Sequence, residues 1–377
     1  TEWGIPIRRG LGKTGVVGII EGRRGRAGGA IGLRADMDAL PMSESNTFEH
    51  ASRHAGRMHA CGHDGHTAML LAAAQHLARQ RDFDGTVYLL FQPAEEGGGG
   101  AREMIRDGLF REFPMDAVFG MHNWPGMKTG QFAVCPGPVM ASTSEFLIRI
   151  RGRGAHAALP HMGIDPVPVA CQMVQAFQTI ITRNKRPTDA AVISVTMIHA
   201  GEATNVVPDV CTLEGTVRTF TLPVLDQIEQ RMRDVARHTA EAFGATCEFE
   251  FQRNYPPTIN HPAEAAFVAE VMRETVGAEN TLEFEASMTA EDFSYFLLEK
   301  PGAYFMIGHG NGHHRLSPAG DGQGARTDAE SEAELAANAA LGPCTLHNPH
   351  YDFNDDLIPL GATLWIRLVE KWFTRKA

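Results

Sequence analysis

The chain has 377 residues, more than one typical core holds, so two domains are expected. Asp and Glu (45) outnumber Lys and Arg (34), and the net charge of -11 argues against nucleic acid or an anionic membrane as the main partner. No apolar run is long enough to span a bilayer, and six singly scattered cysteines form neither a disulfide framework nor a CxxC zinc knuckle, so a reducing cytoplasm is the expected setting.

The chain opens at Thr1, not at Met, and no signal peptide is visible. Residues 14–20 and 30–35 read as strands around a basic, Gly-rich turn, and the second runs into Asp36-Met37-Asp38. Two carboxylates one residue apart at a strand end suit a site, and equally a solvated turn. Next comes His59-Ala60-Cys61-Gly62-His63-Asp64-Gly65-His66, ahead of a helix over about 67–79 with Asp64 expected as its N-cap. A Cys-x-His pair supplies sulfur and nitrogen donors that suit zinc and similar divalent ions, although the pair alone also arises by accident.

Residues 85–91 form a short, nearly all-apolar segment, the pattern of a strand buried on both faces. It runs into Pro93-Ala94-Glu95-Glu96 and four glycines, before a helix over 101–108. Adjacent acids repel, so a buried pair calls for a cation. The glycine run lacks the GK[ST] of a phosphate loop. Residues 116–121 are another apolar strand, ending at His122. Three strand ends thus deliver Asp36/Asp38, Glu95/Glu96 and His122, and the helix-opening loop adds Cys61 and His63. Ligands of open α/β sheets gather at the carboxyl ends of strands, so a metal site is the leading reading.

From residue 145 the pattern changes to half-exposed alternation. The order strand (146–152), helix (165–183), strands (191–198, 211–218), helix (222–243), strand (246–252) is that of a split βαβ unit. The fold class read from this is α/β: a first domain (1–143 and 255–377) with helices on both faces of a mixed, mostly parallel sheet, plus an inserted ferredoxin-like α+β domain (144–254). The strand over 146–152 is expected at a sheet edge, open to pairing with another chain. Helices over 264–276 and 290–299, a strand over 303–308 and a closing helix from about 360 complete the first domain. Residues 310–342 read as a surface loop with a short helix at 330–340, and His313 and His314 in it as solvated.

Five segments, MHACGHDGHT, FQPAEEGGGGA, MHNWPG, GRGAHAALPH and LHNPHYDFND, occur in that order over nearly the whole chain. Together they resemble the hippurate hydrolase, N-acyl-amino-acid amidohydrolase and indoleacetyl-amino-acid hydrolase group of the dinuclear-metal aminoacylase and carboxypeptidase superfamily. The resemblance implies a homodimer or higher oligomer through residues 144–254 and two divalent ions per chain (Zn, Mn, Co or Ni). It implies Cys61, His63, Glu96, His122 and His347 as metal ligands and Glu95 as general base. It further implies His156 as a donor to the developing oxyanion, delivered across a dimer, and Asn205 and Arg218 as groups that bind the substrate carboxylate. Asp36 and Asp38 are candidates to orient ligands. Related members carry further residues ahead of the point where this chain begins, and the loop at 310–342 is longer than the family's usual one.

The implied reaction is hydrolysis of an N-acyl amino acid to a carboxylic acid and a free amino acid. Two ions about 3.5–4 Å apart polarise the carbonyl and acidify a water, and a Cys61 thiolate is able to bridge them through metal–sulfur bonds of about 2.3 Å. The alternatives are a metallo-dipeptidase or deacetylase of the same superfamily, a cysteine hydrolase built on Cys61 and His63, and a non-enzymatic metal or amino-acid binding protein. The cysteine hydrolase leaves Glu95 and Glu96 unexplained, and a metal store has no use for a second carboxylate beside its ligand.

Overall fold

A computed structural model describes residues 2–316 and 332–375. The chain opens with β1 (Ile7–Leu11), β2 (Gly15–Glu21) and β3 (Ala30–Asp36), then α1 (His63–Gln80), β4 (Thr86–Gln92), α2 (Gly100–Arg106), α3 (Leu109–Glu112), β5 (Ala117–Pro125) and β6 (Phe132–Val134). A middle stretch holds β7 (Gly137–Met140), β8 (Thr143–Arg151), β9 (Ala155–His156), α4 (Pro166–Thr179), β10 (Ala191–Ala200), β11 (Val206–Val207), β12 (Val210–Thr219), α5 (Leu222–Ala242), β13 (Thr246–Tyr255) and β14 (Thr258–Asn260). The chain closes with α6 (Pro262–Val276), β15 (Thr281–Glu283), α7 (Ser294–Glu299), β16 (Gly302–Gly310), α8 (Glu332–Ala340) and α9 (Leu357–Thr374).

Two compact units emerge. One comprises Thr1–Gly137, Asn260–Glu285 and Tyr295–Ala377, the other Pro138–Ile259 and Ala286–Ser294. In the first, eight strands among the described residues form a mixed sheet in the order β1-β2-β4-β3-β5-β16-β6-β15. Its centre, β4-β3-β5-β16, is parallel throughout. β3 is buried at every position, and so is β16 up to His309, which explains their unbroken apolar reading. Helices α1 and α9 pack on one another and, with α6, close the core around Trp365, Phe305 and Leu70. Burying each such side chain contributes roughly 1.5–3 kcal/mol. Because β3, β4 and β5 run the same way, the segments that leave their carboxyl ends meet on one edge, which is where the carboxylates and His122 lie.

The second unit holds an antiparallel sheet in the order β10-β12-β8-β13, connected β-α-β-β-α-β, with α4 and α5 packed against it over Ile148, Phe177, Leu213 and Ile228. The expected edge position of residues 146–152 is wrong. β8 carries β12 on one side and β13 on the other, so its hydrogen-bonding groups are taken. In a split βαβ unit the first strand is threaded between the third and the last, and the outer positions fall to β10 and β13.

Other elements also differ from the sequence reading. Asp64 does not cap α1. The helix begins at His63 with Gly62 at the cap in a left-handed conformation (φ 87°), and Asp64 Oδ1 accepts from the N–H of Gly65. The helix expected over 290–299 is confined to Ser294–Glu299. β1 was not read at all, and its mostly exposed IRRGL pattern explains why. Residues 317–331 of the long loop lie outside the described residues, whereas its end at α8 matches the short helix expected there.

Candidate metal centre

All the candidate ligands lie in the first unit, and the fold brings them together. Donor atoms of Cys61, His63 and His122 lie within 4.8 Å of one another, as do those of Cys61, Glu96 and His347, and those of His63, Glu95 and Glu96. Cys61 belongs to two of these groups, so one thiol stands between two sets of donors.

The local backbone explains the convergence. Gly62 has no room for a side chain, since a Cβ there would lie 2.5 Å from Asn123 Oδ1 and 2.6 Å from the Tyr351 hydroxyl, and its φ of +87° favours glycine anyway. Ala94 (φ 55°) and His347 (φ 58°) adopt the same left-handed region without being glycine, one just before Glu95 and one at a candidate ligand. The N–H of His347 donates to the carbonyl of Ala60 at 2.7 Å, which pins its loop beside Cys61. Its Nε2 stands 3.1 Å from Glu96 Oε1.

Two imidazoles are oriented in the same way. His63 Nδ1 lies 3.0 Å from the carbonyl of Asp38, and His122 Nδ1 lies 2.7 Å from the carbonyl of Asn123. Each carbonyl accepts from Nδ1, which leaves Nε2 to face inward with its lone pair. His122 Nε2 faces Cys61 Sγ at 3.4 Å. His63 Nε2 is buried with no hydrogen-bond partner, and Glu96 Oε1, also buried, has the His347 imidazole as an ion-pair contact but makes no hydrogen bond. Orphaned buried atoms of this kind are what a cation resolves, and the donor set of thiol, imidazoles and carboxylates fits divalent transition metals.

Electrostatics point the same way. Burial and then the carboxylates of Glu96, Glu95 and Asp36 push the Cys61 thiol well above its ordinary range, so a thiolate there requires a cation. His63 is lowered by burial, but Asp36, Asp38 and Glu96 outweigh this and raise it to about 9. Burial, and then His66, hold His122 well below the usual imidazole range.

Asp36 and Asp38 have separate tasks. Asp36 is fully buried, and its two oxygens meet Arg34 Nη1 at 2.6 Å and His66 Nδ1 at 2.6 Å, with His63 Nε2 at 3.7 Å. Burial raises its pKa, yet Arg34, His63 and His66 outweigh this and keep it well below the ordinary value. Asp38 accepts the backbone N–H groups of Glu95 and Glu96, both at 3.0 Å, so it fixes the turn that presents the two acids.

The sequence reading missed the frame beneath these groups. His66 stands one helical turn after His63 and joins Asp36 to Asn123, whose Nδ2 donates to Tyr351 at 2.7 Å. The i, i+3 spacing of His63 and His66 was the available signal. Gln92 and Arg34 are bonded to each other at 2.8 Å and carry no such signal.

His156, Asn205 and Arg218 belong to the second unit. β9 pairs with β11 so that His156 stands opposite Val206, and the N–H of Ala157 donates to the carbonyl of Asn205 at 3.0 Å, which makes His156 and Asn205 neighbours. Both are exposed. Arg218 lies on β12, half-buried, and burial lowers its pKa with Glu145 opposing. His314, expected to be solvated, is not. Its side chain is 12% exposed and bonded to the carbonyl of Asp352, because the loop folds back on the 344–354 segment.

Comparison with known proteins gives the family. The model of "Peptidase family M20/M25/M40" matches residues 32–321. A hippurate hydrolase of Campylobacter jejuni is 36% identical over 374 residues, 98% of this chain and 88% of its own. An N-acetyl-L-cysteine deacetylase of Bacillus subtilis is 41% identical over 319 residues, 84% of this chain and 75% of its own. Among solved structures, the Bacillus subtilis YXEP protein, described as a dinuclear metal-binding peptidase of this family, superposes with a TM-score of 0.79 at 31% identity, covering 99% of this chain and 89% of its own. No described helix is long and apolar enough to cross a membrane. Matched over most of its length, and with a mixed, mostly parallel sheet like that of its structural neighbours, the chain belongs to the hydrolases of peptidase family M20/M25/M40.

Proposed function

We propose that this chain is a metal-dependent amidohydrolase that cleaves N-acyl amino acids, of hippurate or related acyl type, to a carboxylic acid and a free amino acid. The observation that carries the reading is the paired donor sets that share Cys61, with Glu95 beside the ligand candidate Glu96. Cys61, His63, Glu96, His122 and His347 would hold two divalent ions, and the hippurate hydrolase and deacetylase relatives support the substrate class. When bound, such ions supply Lewis-acid polarisation of the scissile carbonyl and a water acidified toward neutrality. Glu95 takes the proton from the attacking water and returns it to the leaving amine, a role typically worth about 10²–10⁴ in rate. Asp38 holds Glu95 and Glu96 by their backbone, and Asp36 holds His66 and faces His63. His156, delivered across a dimer, would donate to the oxyanion, and Asn205 and Arg218 would receive the substrate carboxylate, Arg218 with a planar fork suited to it. The active form is a homodimer through residues 144–254, and the free cysteines of the described residues suit a reducing cytoplasm.

The test is a metal titration joined to a substrate panel. Metal-stripped protein should take up close to two equivalents of Mn, Co, Ni or Zn and then hydrolyse N-benzoyl, N-acetyl or indoleacetyl amino acids. Full activity in a preparation shown by elemental analysis to hold no metal would remove the reading. Activity on dipeptides alone would move it to the dipeptidase alternative.

A further inference from the structure

His347 stands in a stretch without helix or strand, residues 341–356, yet a metal ligand has to be held to fractions of an ångström. What holds it is visible in the carbonyl groups that follow. Four consecutive carbonyls are each bonded from far along the chain. The N–H of Ser45 donates to Pro349 O at 2.9 Å, and Arg315 Nη1 donates to His350 O at 2.9 Å. Asn46 Nδ2 donates to Tyr351 O at 2.7 Å. Asp352 O is met by His309 Nε2 at 3.0 Å, His314 Nε2 at 3.1 Å and Cys344 Sγ at 3.5 Å. Arg315 reaches further with the same guanidinium, to Gly342 O at 2.8 Å and Asn338 Oδ1 at 2.6 Å. His309 is fully buried at the end of β16, and Asn354 N–H lies 3.2 Å from its Nε2. His309, His314 and Arg315 come from the end of β16 and the turn after it, so they tie the segment to the central sheet.

We propose that Arg315, His309 and His314 are positioning residues for His347: by gripping the carbonyls of His350 and Asp352 from the end of β16, they take the place that a helix or strand would otherwise have in fixing this ligand. The inference rests on the reading of His347 as a metal ligand. A planar Arg fork reaches several carbonyls at once, whereas Lys offers one compact point charge, so Arg315→Lys keeps the charge and loses the grip.

The experiment is metal titration of metal-stripped protein for the wild type, His347→Ala, Arg315→Lys, His314→Gln and the double variants with His347→Ala. Arg315→Lys and His314→Gln should each weaken uptake of one metal equivalent by about 10–100-fold, the usual effect of removing a partner that orients a ligand. Their kcat should return to the wild-type value at saturating metal. In the His347→Ala background neither change should weaken uptake further, because a clamp that acts through His347 has nothing left to position. Losses that add in full to that of His347→Ala, or unchanged uptake in both single variants, would overturn the clamp. If Arg315→Lys alone is unfolded when metal-free, His314→Gln carries the same test. A wild type that takes up no metal, or a His347→Ala chain with wild-type uptake, would sink the metal reading of His347 itself, a result distinct from failure of the clamp.

Discussion

The first unit contains two clusters of the same donor types, and they are built for opposite ends. Cys61, His63 and His122 lie among Asp36, Asp38, Glu95 and Glu96, with His63 Nε2 left without a hydrogen-bond partner. His309, His314 and Cys344 also bring their donor atoms within 4.8 Å of one another, but they converge on a neutral carbonyl oxygen, with the Arg315 guanidinium adding positive charge beside them. Around the first cluster carboxylates raise His63 to about 9, and around the second burial lowers His309 to about 4 and His314 to about 3. The lesson is that ligand type and spacing do not make a cation site; the sign of the surrounding field does. Negative charge and orphaned acceptors draw a cation, whereas a carbonyl already approached by three groups beside a fixed positive charge does not.

The sharpest test lies within the anionic cluster. Glu95→Gln should lower kcat by about 10²–10⁴ with metal content near that of the wild type, and Glu96→Gln should lower metal occupancy, both read by kinetics with elemental analysis. The reverse pattern would exchange the two roles. Next in size, Cys61→Ser should weaken metal uptake by more than the ~10–100-fold that loss of an orienting partner costs, while Cys344→Ser keeps both metal equivalents. If Cys344→Ser loses an equivalent, the two clusters are of one kind and the contrast drawn above fails.

A smaller effect concerns acid. Neutral imidazoles at His309 and His314 are favoured by the fold, against an unfolded value near 6.5. Their stabilisation is therefore whole above about pH 6.5 and is lost as pH falls through about 4 and then about 3. Arg315, His313 and Asp352 face these rings and act on them too. The Tm of metal-free protein should drop across this window, and His314→Gln should flatten the drop; an unchanged profile would deny these rings their part. The smallest effect expected is none. Shortening residues 317–331 should leave activity and metal affinity unaltered, because Arg315 and Asn338, which flank that stretch, are bonded to each other. A wider deletion, over 315–338, would also remove Arg315 and Asn338, which belong to the clamp proposed above.

By itself the amino-acid sequence determined the layers of the fold, because unbroken apolar runs such as β4 and half-exposed alternation such as β8 are burial written directly into residue order. It also offered candidate ligands, since Glu95, Glu96 and His122 stand where apolar strands end and Cys61 and His63 stand on the loop that opens a helix, whereas His347 came only with the family resemblance. Only the tertiary structure decided what each of them meets. That β8 is a central strand, that Asp38 caps the Glu95 turn, and that His66 joins Asp36 to Asn123 are facts of pairing between distant segments. His314 makes the point most plainly: in a Gly-rich, acidic loop its residue order reads as solvated, and it is half-buried with its ring bonded to a carbonyl 38 positions away. Local patterns record how a residue partitions between water and the interior, whereas partners are set by how the whole chain closes.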